Sequence, residues 1–230
     1  ESGHVAAVYD ITTPAAPEII TGVSMVSSGL GTAAQFEDTI TTPKDYWVTL
    51  STAFRQVKRL EQNTASNLRS IENTAEHLII TPSEFISQAV QLRDHRISQG
   101  LVSMSIDVQD IYDEFGYGIV SAEAIHDFLL FTYSNWGTTA PSYVVLMGDG
   151  HYNPKDYYPG VQGFGRESYI PPYLSPVDPL ILETAADNRY VMLVGEDNLP
   201  DMMLGRLAVN SQAEASAFVN KIIAYEQEPA

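Results

Sequence analysis

The sequence predicts an α/β fold, a mostly parallel sheet flanked by helices and preceded by a β-rich amino-terminal segment, and three observations carry that prediction. From His77 onward, short apolar runs alternate with stretches of helical periodicity, as in strand–helix–strand units. One run, Tyr143-Val144-Val145-Leu146-Met147, is apolar without alternation, which suits a strand covered on both faces. Residues 1–72 have a different texture, rich in Ser, Thr and Gly with loosely alternating β-prone runs.

In the first segment, residues 4–11 read as a strand, Thr12-Thr13-Pro14-Ala15-Ala16-Pro17 as a turn, and Tyr46-Trp47-Val48-Thr49-Leu50 as a further strand. Gly29 and Gly31 among serines and threonines mark hairpins. Asn63 to Glu72 is polar and without apolar period, so it is expected to be a connector. Residues 73–230 form the expected α/β unit. Leu78-Ile79-Ile80-Thr81 is a strand, and Pro82 opens a helix with Phe85, Ala89, Leu92 and Arg93 at helical spacing, ending at Gln99-Gly100. Residues 101–108 read as a strand and residues 110–118 as a loop. Ser121 caps a helix that carries Ile125, Phe128, Leu129 and Thr132 on one face. After the Tyr143 strand, residues 190–195 and 203–209 read as two more. Ser211 and Glu214 have the spacing of a capping box, opening a helix that presents Phe218, Ile222 and Tyr225.

Composition limits the partners. A net charge of −17 with 12 Lys and Arg argues against a nucleic-acid partner, because phosphate binding needs clustered cations. No apolar stretch is long enough to span a bilayer. The chain begins at Glu1 rather than Met, and is expected to be a processed or excised piece of a longer protein. It holds no cysteine, which removes disulfides, zinc-thiolate sites and any thiol nucleophile from these 230 residues.

The candidate chemistry is rich in carboxylates. The Tyr143 run stops at Gly148-Asp149-Gly150-His151, placing Asp149 at the carboxyl end of a strand, where ligands gather in open α/β sheets. Asp187 with Asn188, and Asp197 with Asn198 and Asp201, lie in loops near other strand ends. Their oxygens suit calcium; the same residues equally serve as caps and Asx turns, and no EF-hand spacing is present. Arg206, inside an apolar strand, needs a carboxylate partner, with Asp149 or Asp187 the natural choice. His151 is a possible general base or an ordinary loop residue, and no Gly-x-Ser-x-Gly elbow accompanies it. His77 and His95 are explained by local hydrogen bonding. The acidic and aromatic patch at residues 110–115 either faces a partner or anchors its loop to the sheet.

In order, Leu78-Ile79-Ile80-Thr81-Pro82, Asp107-Val108-Gln109-Asp110-Ile111-Tyr112-Asp113-Glu114-Phe115, Ala124-Ile125-His126-Asp127-Phe128-Leu129, Tyr143 to Lys155, Asp187-Asn188, Leu204-Gly205-Arg206-Leu207 and Lys221-Ile222-Ile223-Ala224-Tyr225-Glu226 resemble the gingipain-type cysteine peptidases. The resemblance runs from residue 76 to 226 and implies a caspase-like fold of two adjacent α/β subdomains. It places the family's catalytic histidine, in a Gly-His-Gly context, and its catalytic cysteine in the second subdomain. On that resemblance this sequence stops after the first subdomain. His151 does not match the catalytic histidine and no cysteine is present, so no catalytic or specificity residue is carried over. The implied role is the noncatalytic amino-terminal portion of a secreted or cell-surface endopeptidase. Its partners would be the downstream catalytic subdomain of the same protein and a protein or peptide substrate. Calcium is the implied cofactor, with Asp149, Asp187 and Asp197 as candidate ligands. Two alternatives stay open: a secretion or surface-attachment component of the same family, and a cation-binding α/β module that is not an enzyme.

Overall fold

A computed structural model describes residues 6–29, 31–54, 62–137, 140–154, 168–178, 182–195 and 197–227. Contacts divide the chain into two units, Glu1–Asn63 and Thr64–Ala230.

In the first unit, β1 (Ala6–Asp10), β2 (Glu18–Ile20) and β5 (Tyr46–Leu50) form an antiparallel sheet with β1 in the middle. Val8 faces Ile20 on one side and Val48 on the other, and the strand's alternation buries Ala6 and Val8 together. β3 (Ser24–Ser28) and β4 (Gly31–Gln35) pair as the hairpin that the glycines announced. Lys44 ties the open end of the β1–β5 pair by bridging Asp10 at 3.1 Å and Asp38 at 2.7 Å, and the Tyr46 hydroxyl donates to Asp38 at 2.6 Å.

The second unit begins earlier than the expected boundary at residue 73, because the stretch read as a connector is a docked loop. Leu68 is buried in the core. The Ser66 hydroxyl, Leu68 N–H (2.7 Å) and Arg69 N–H (3.0 Å) donate to the Glu114 carboxylate, and the Trp136 indole donates to the Leu68 carbonyl at 3.0 Å. Backbone donors and a carboxylate 46 residues away hold this loop, so no apolar period marks it.

β6 (His77–Thr81), β7 (Ser103–Asp107), β8 (Tyr143–Met147) and β11 (Met203–Leu207) make one sheet in the order β11-β8-β6-β7, with every pair parallel. Successive side chains alternate between its faces. Leu78, Ile80, Ile106, Val144 and Leu146 meet Ile125, Phe128 and Leu129 of α3 (Ala122–Asn135) and Ile111 of α2 (Val108–Phe115). Ile79 and Met147 meet Ala89 and Leu92 of α1 (Ile86–Ser98) and Ala215 and Val219 of α4 (Gln212–Gln227). Phe128 and Leu129 are fully buried, and truncating either to alanine should cost about 3 kcal/mol through lost transfer energy and the cavity left behind. A hairpin that the sequence did not announce, β9 (Leu174–Asp178) with β10 (Leu182–Ala185), stands outside this sheet.

Two local expectations are corrected. The expected loop at residues 110–118 is mostly helix, α2. Val108, Ile111, Tyr112 and Phe115 follow an i, i+3, i+4, i+7 period, and Asp107 caps the start by accepting from Gln109 N–H at 2.9 Å. The expected strand at 190–195 is instead the end of a 3-10 turn, Asp187–Val191, followed by irregular chain. Tyr190 and Val191 are buried there, and the Leu193 and Val194 N–H groups donate to Asp201 at 2.7 and 2.9 Å rather than to a ladder. α4 buries Ala215 and Val219, while Phe218 and Tyr225 are 44% and 71% exposed. Its capping box forms with one change: Ser211 accepts from Glu214 N–H, but the Glu214 carboxylate accepts from Asn210 N–H at 2.8 Å.

Candidate functional site

From β7 the chain returns across β6 to β8, so the strand order reverses between β6 and β8. The carboxyl ends of those two strands are where an open α/β sheet places its ligands. β6 ends in Thr81, fully buried, whose hydroxyl donates to the Met147 carbonyl at 3.1 Å. β8 runs into Gly148, at φ +154°, and Gly150, where a Cβ would lie 2.1 Å from the Ile170 carbonyl oxygen. Only glycine fits at 150. The corner is fastened by its backbone: Gly148 and Asp149 N–H donate to the Leu207 and Val209 carbonyls, and the Asp149 carbonyl accepts from Tyr169 and Ile170.

The carboxylate of Asp149 accepts from Gly150 N–H at 2.9 Å and from the Asn210 amide at 3.0 Å. It is not the partner of Arg206. That partner is Asp187, reached by Arg206 Nε at 2.6 Å and Nη2 at 3.1 Å in a two-pronged pair. The remaining guanidinium donors go to the carbonyls of Gly148 (2.9 Å), Ile170 (3.0 Å) and Pro171 (3.3 Å). All five N–H groups are thereby engaged, and the Arg206 side chain is only 14% exposed. Arg206 therefore clamps three segments, the β8 corner, the strip at Ile170–Pro171 and the 3-10 turn, into one wall. Nearby, burial pushes the Tyr112 and Tyr190 phenols well above the usual tyrosine range, with the Arg206 charge opposing it. Tyr190 donates to the Pro171 carbonyl at 2.6 Å, whereas the buried Tyr112 hydroxyl has no hydrogen-bond partner among the described residues. Burial also raises Asp107 and Asp110, the carboxyls at the start of α2.

Asp197 sits apart in a turn, accepting from Leu199 N–H at 3.0 Å. The three carboxylates considered for calcium are thus committed to three different partners. Both oxygens of Asp187 accept from the permanent cation of Arg206. Among the described residues, no group of three or more His, Asp or Glu is placed to hold a metal ion. His151 donates its N–H to Ser168 at 3.3 Å and accepts at Nδ1 from Asn153 N–H at 3.1 Å. His77 and His95 are bonded to residues distant in the chain rather than local ones, the Ser103 hydroxyl at 2.8 Å and Glu226 at 2.7 Å. Lys155 and Glu196 lie outside the described residues. The carbonyl clasp of Arg206 and the role of Asn210 had no sequence signal; the only hint was a cation inside an apolar strand.

Beside this wall a cleft of about 880 Å³ follows β11, lined by Tyr143, Asp187, Pro200, Asp201, Met203 and Arg206. The Arg206 guanidinium is fully engaged in this wall, and the sequence holds no thiol.

The fold is shared with two solved structures from Porphyromonas gingivalis. Dimeric latent PorU is similar at 19% identity with a TM-score of 0.68, over 96% of this chain and 22% of that one. The complex of the RgpB pro- and mature domains is similar at 21% identity with a TM-score of 0.50, over 65% of this chain and 29% of that one. The chain therefore spans less than a third of either. No curated protein matches the sequence. Among the described residues, no helix is long and apolar enough to cross a membrane. A model of the family described as peptidase family C25 matches residues 70–230, well over half of the sequence, and the chain belongs to that family, the gingipain family of cysteine peptidases.

Proposed function

We propose that this chain is the noncatalytic amino-terminal portion of a secreted gingipain-like cysteine endopeptidase, a β-rich segment followed by the first α/β subdomain. The catalytic subdomain, downstream in the same protein, docks against it. The observation that carries this reading is family membership in a sequence without a single cysteine. A thiolate chemistry needs its nucleophile elsewhere in the protein. The outer edge of β11 supports the docking. Met203 N–H and the Leu207 carbonyl bond towards β8, so the backbone groups of Leu204 and Arg206 point the other way, without backbone partners among the described residues. Such an edge is a template for a further strand, and the 880 Å³ cleft runs beside it.

In the complete protein, the thiolate attacks the scissile carbonyl carbon and the imidazolium returns a proton to the departing amine. Water then hydrolyses the thioester acyl-enzyme, releasing the second product and regenerating the thiol. This chain's contribution is positional: Arg206 and the glycine corner hold the sheet edge rigid beneath the partner subdomain. The test is hydrolysis of fluorogenic peptides and burst-phase acylation, by this chain alone and after mixing with the polypeptide that follows it. Activity is expected only in the mixture. Acylation or turnover by the chain alone would overturn the proposal.

A further inference from the structure

At the opposite, amino-terminal end of the sheet lies a second cavity, of about 400 Å³, on the face that carries α1 and α4. His77, Tyr143 and Met203 are register neighbours across β6, β8 and β11, and Gly205 lies opposite Val145 one step further along. All five side-chain positions are on the same face by alternation. Met203 and Tyr143, 70% and 42% exposed, form the rim.

Two independent features mark the cavity as a built site. The first is Gly205. Its φ is not in the left-handed region, and a Cβ built there would meet nothing within 4 Å. Neither backbone conformation nor crowding calls for glycine, and in a strand interior glycine costs stability. A glycine of this kind marks the close approach of something outside the strand. The second is His77, 4% exposed, with Nδ1 on the Ser103 hydroxyl and no protein partner for its other ring nitrogen among the described residues. Beside it, Arg96 also lines the cavity; it donates to Gln99 and Glu226 through Nη1, and its Nε and Nη2 have no hydrogen-bond partner among the described residues. If Ser103 donates to Nδ1, His77 carries its proton on Nε2 and donates into the cavity.

We propose that this cavity binds a small monocarboxylate with an apolar body, its carboxylate taken by Arg96 and His77 and its hydrocarbon lying over Gly205 and Val145. The volume is within the range of small-ligand sites, which combine apolar walls with a few convergent polar groups. Glu226, already on Arg96, offsets part of the positive charge, so the apolar contact over Gly205 must share in the affinity. An anion bound here would also raise the His77 pKa, which burial and then the Arg96 charge hold down at about 4.

The probe is phenylacetate, titrated into the full chain while the histidine ring resonances are followed by NMR as a function of pH. Saturable binding should move the His77 titration upwards and leave His151 where it is. Gly205→Val occupies open space, so the chain should keep its melting temperature and lose at least ten-fold in affinity. Arg96→Gln should weaken binding similarly, and it decides the matter if the valine variant fails to fold. Phenylacetamide should not bind. A peptide ending in Phe, compared as free acid and as amide, separates a polypeptide carboxyl terminus from a free acid as the source of the group. A linear, unsaturable response, equal binding of the amide, or binding undiminished in both variants would overturn the proposal.

Discussion

Replacing Asp187 by Asn removes the only counter-charge, among the described residues, of a guanidinium that is 14% exposed. Breaking a fully buried ion pair by deleting one partner costs about 3–5 kcal/mol, because the survivor is left charged and uncompensated. Here the carboxylate is 24% exposed and three carbonyls still hold the guanidinium. The cost should therefore fall below that range, at about 2 kcal/mol for Asn and nearer 3 for Ala. Arg206→Met strands the Gly148, Ile170 and Pro171 carbonyls and should cost about 3 kcal/mol. Once the cation is gone, removing the carboxylate should cost little, so the double variant should match Arg206→Met alone and give a coupling of about 2 kcal/mol. The assay is urea unfolding at pH 7 in a Trp47→Phe background, so that Trp136, buried in the second unit, reports alone. Additive costs would refute the clamp. Calcium-dependent stabilisation of the parent chain that vanishes in Asp187→Asn would show Asp187 to be a metal ligand instead.

Tyr112→Phe should stabilise the second unit by about 1 kcal/mol, because it removes a buried hydroxyl that has no partner among the described residues; a loss of stability would reveal a partner. Gly150→Ala should cost about 3 kcal/mol or more, since its Cβ would overlap the Ile170 carbonyl and the fastened corner has little freedom to yield. A neutral outcome in thermal melts would mean that the corner is loose. Acid should weaken the fold in a defined window set by His77. Its folded pKa, about 4, lies below the ordinary 6.5, so between those values the unfolded chain binds the extra proton. Stability is then level above pH 6.5 and falls by up to about 3 kcal/mol as pH drops to 4. A pH series of melts on the parent and on His77→Gln should show the slope only in the parent.

Much of the fold was legible in the residues. The unalternating Tyr143 run, the Ser121 cap with its stripe and the Ser211–Glu214 box each correspond to an element in the structure, because each is a local pattern tied to a local geometry. α2 was missed although its apolar period is present, because its Asp and Glu density and flanking glycines resemble loop chemistry. Residues 190–195 were misread for the opposite reason: a run of apolar residues says buried, and burial does not distinguish strand from turn. Which residues of α4 pack inward was not legible: the close packing of α4 on α1 takes the small residue Ala215 with Val219.

At the site, what the sequence by itself determined was an inventory: no thiol, a carboxylate at a strand end, and a buried cation that required an acid. Those follow from residue identity and from the cost of burying charge, which hold wherever the chain folds. Which acid answered Arg206 was decided only in three dimensions. Asp149 and Asp187 were equal candidates by residue type, yet the Asp149 carboxylate turns to Gly150 and Asn210, while the 3-10 turn brings Asp187 edge-on to the guanidinium. The same holds for the different hydrogen-bond partners of Asp149, Asp187 and Asp197 and for the open cavity over Gly205. Each depends on distances between segments far apart in the chain, and those are set by how the sheet and helices close on one another, which no local pattern of residues encodes.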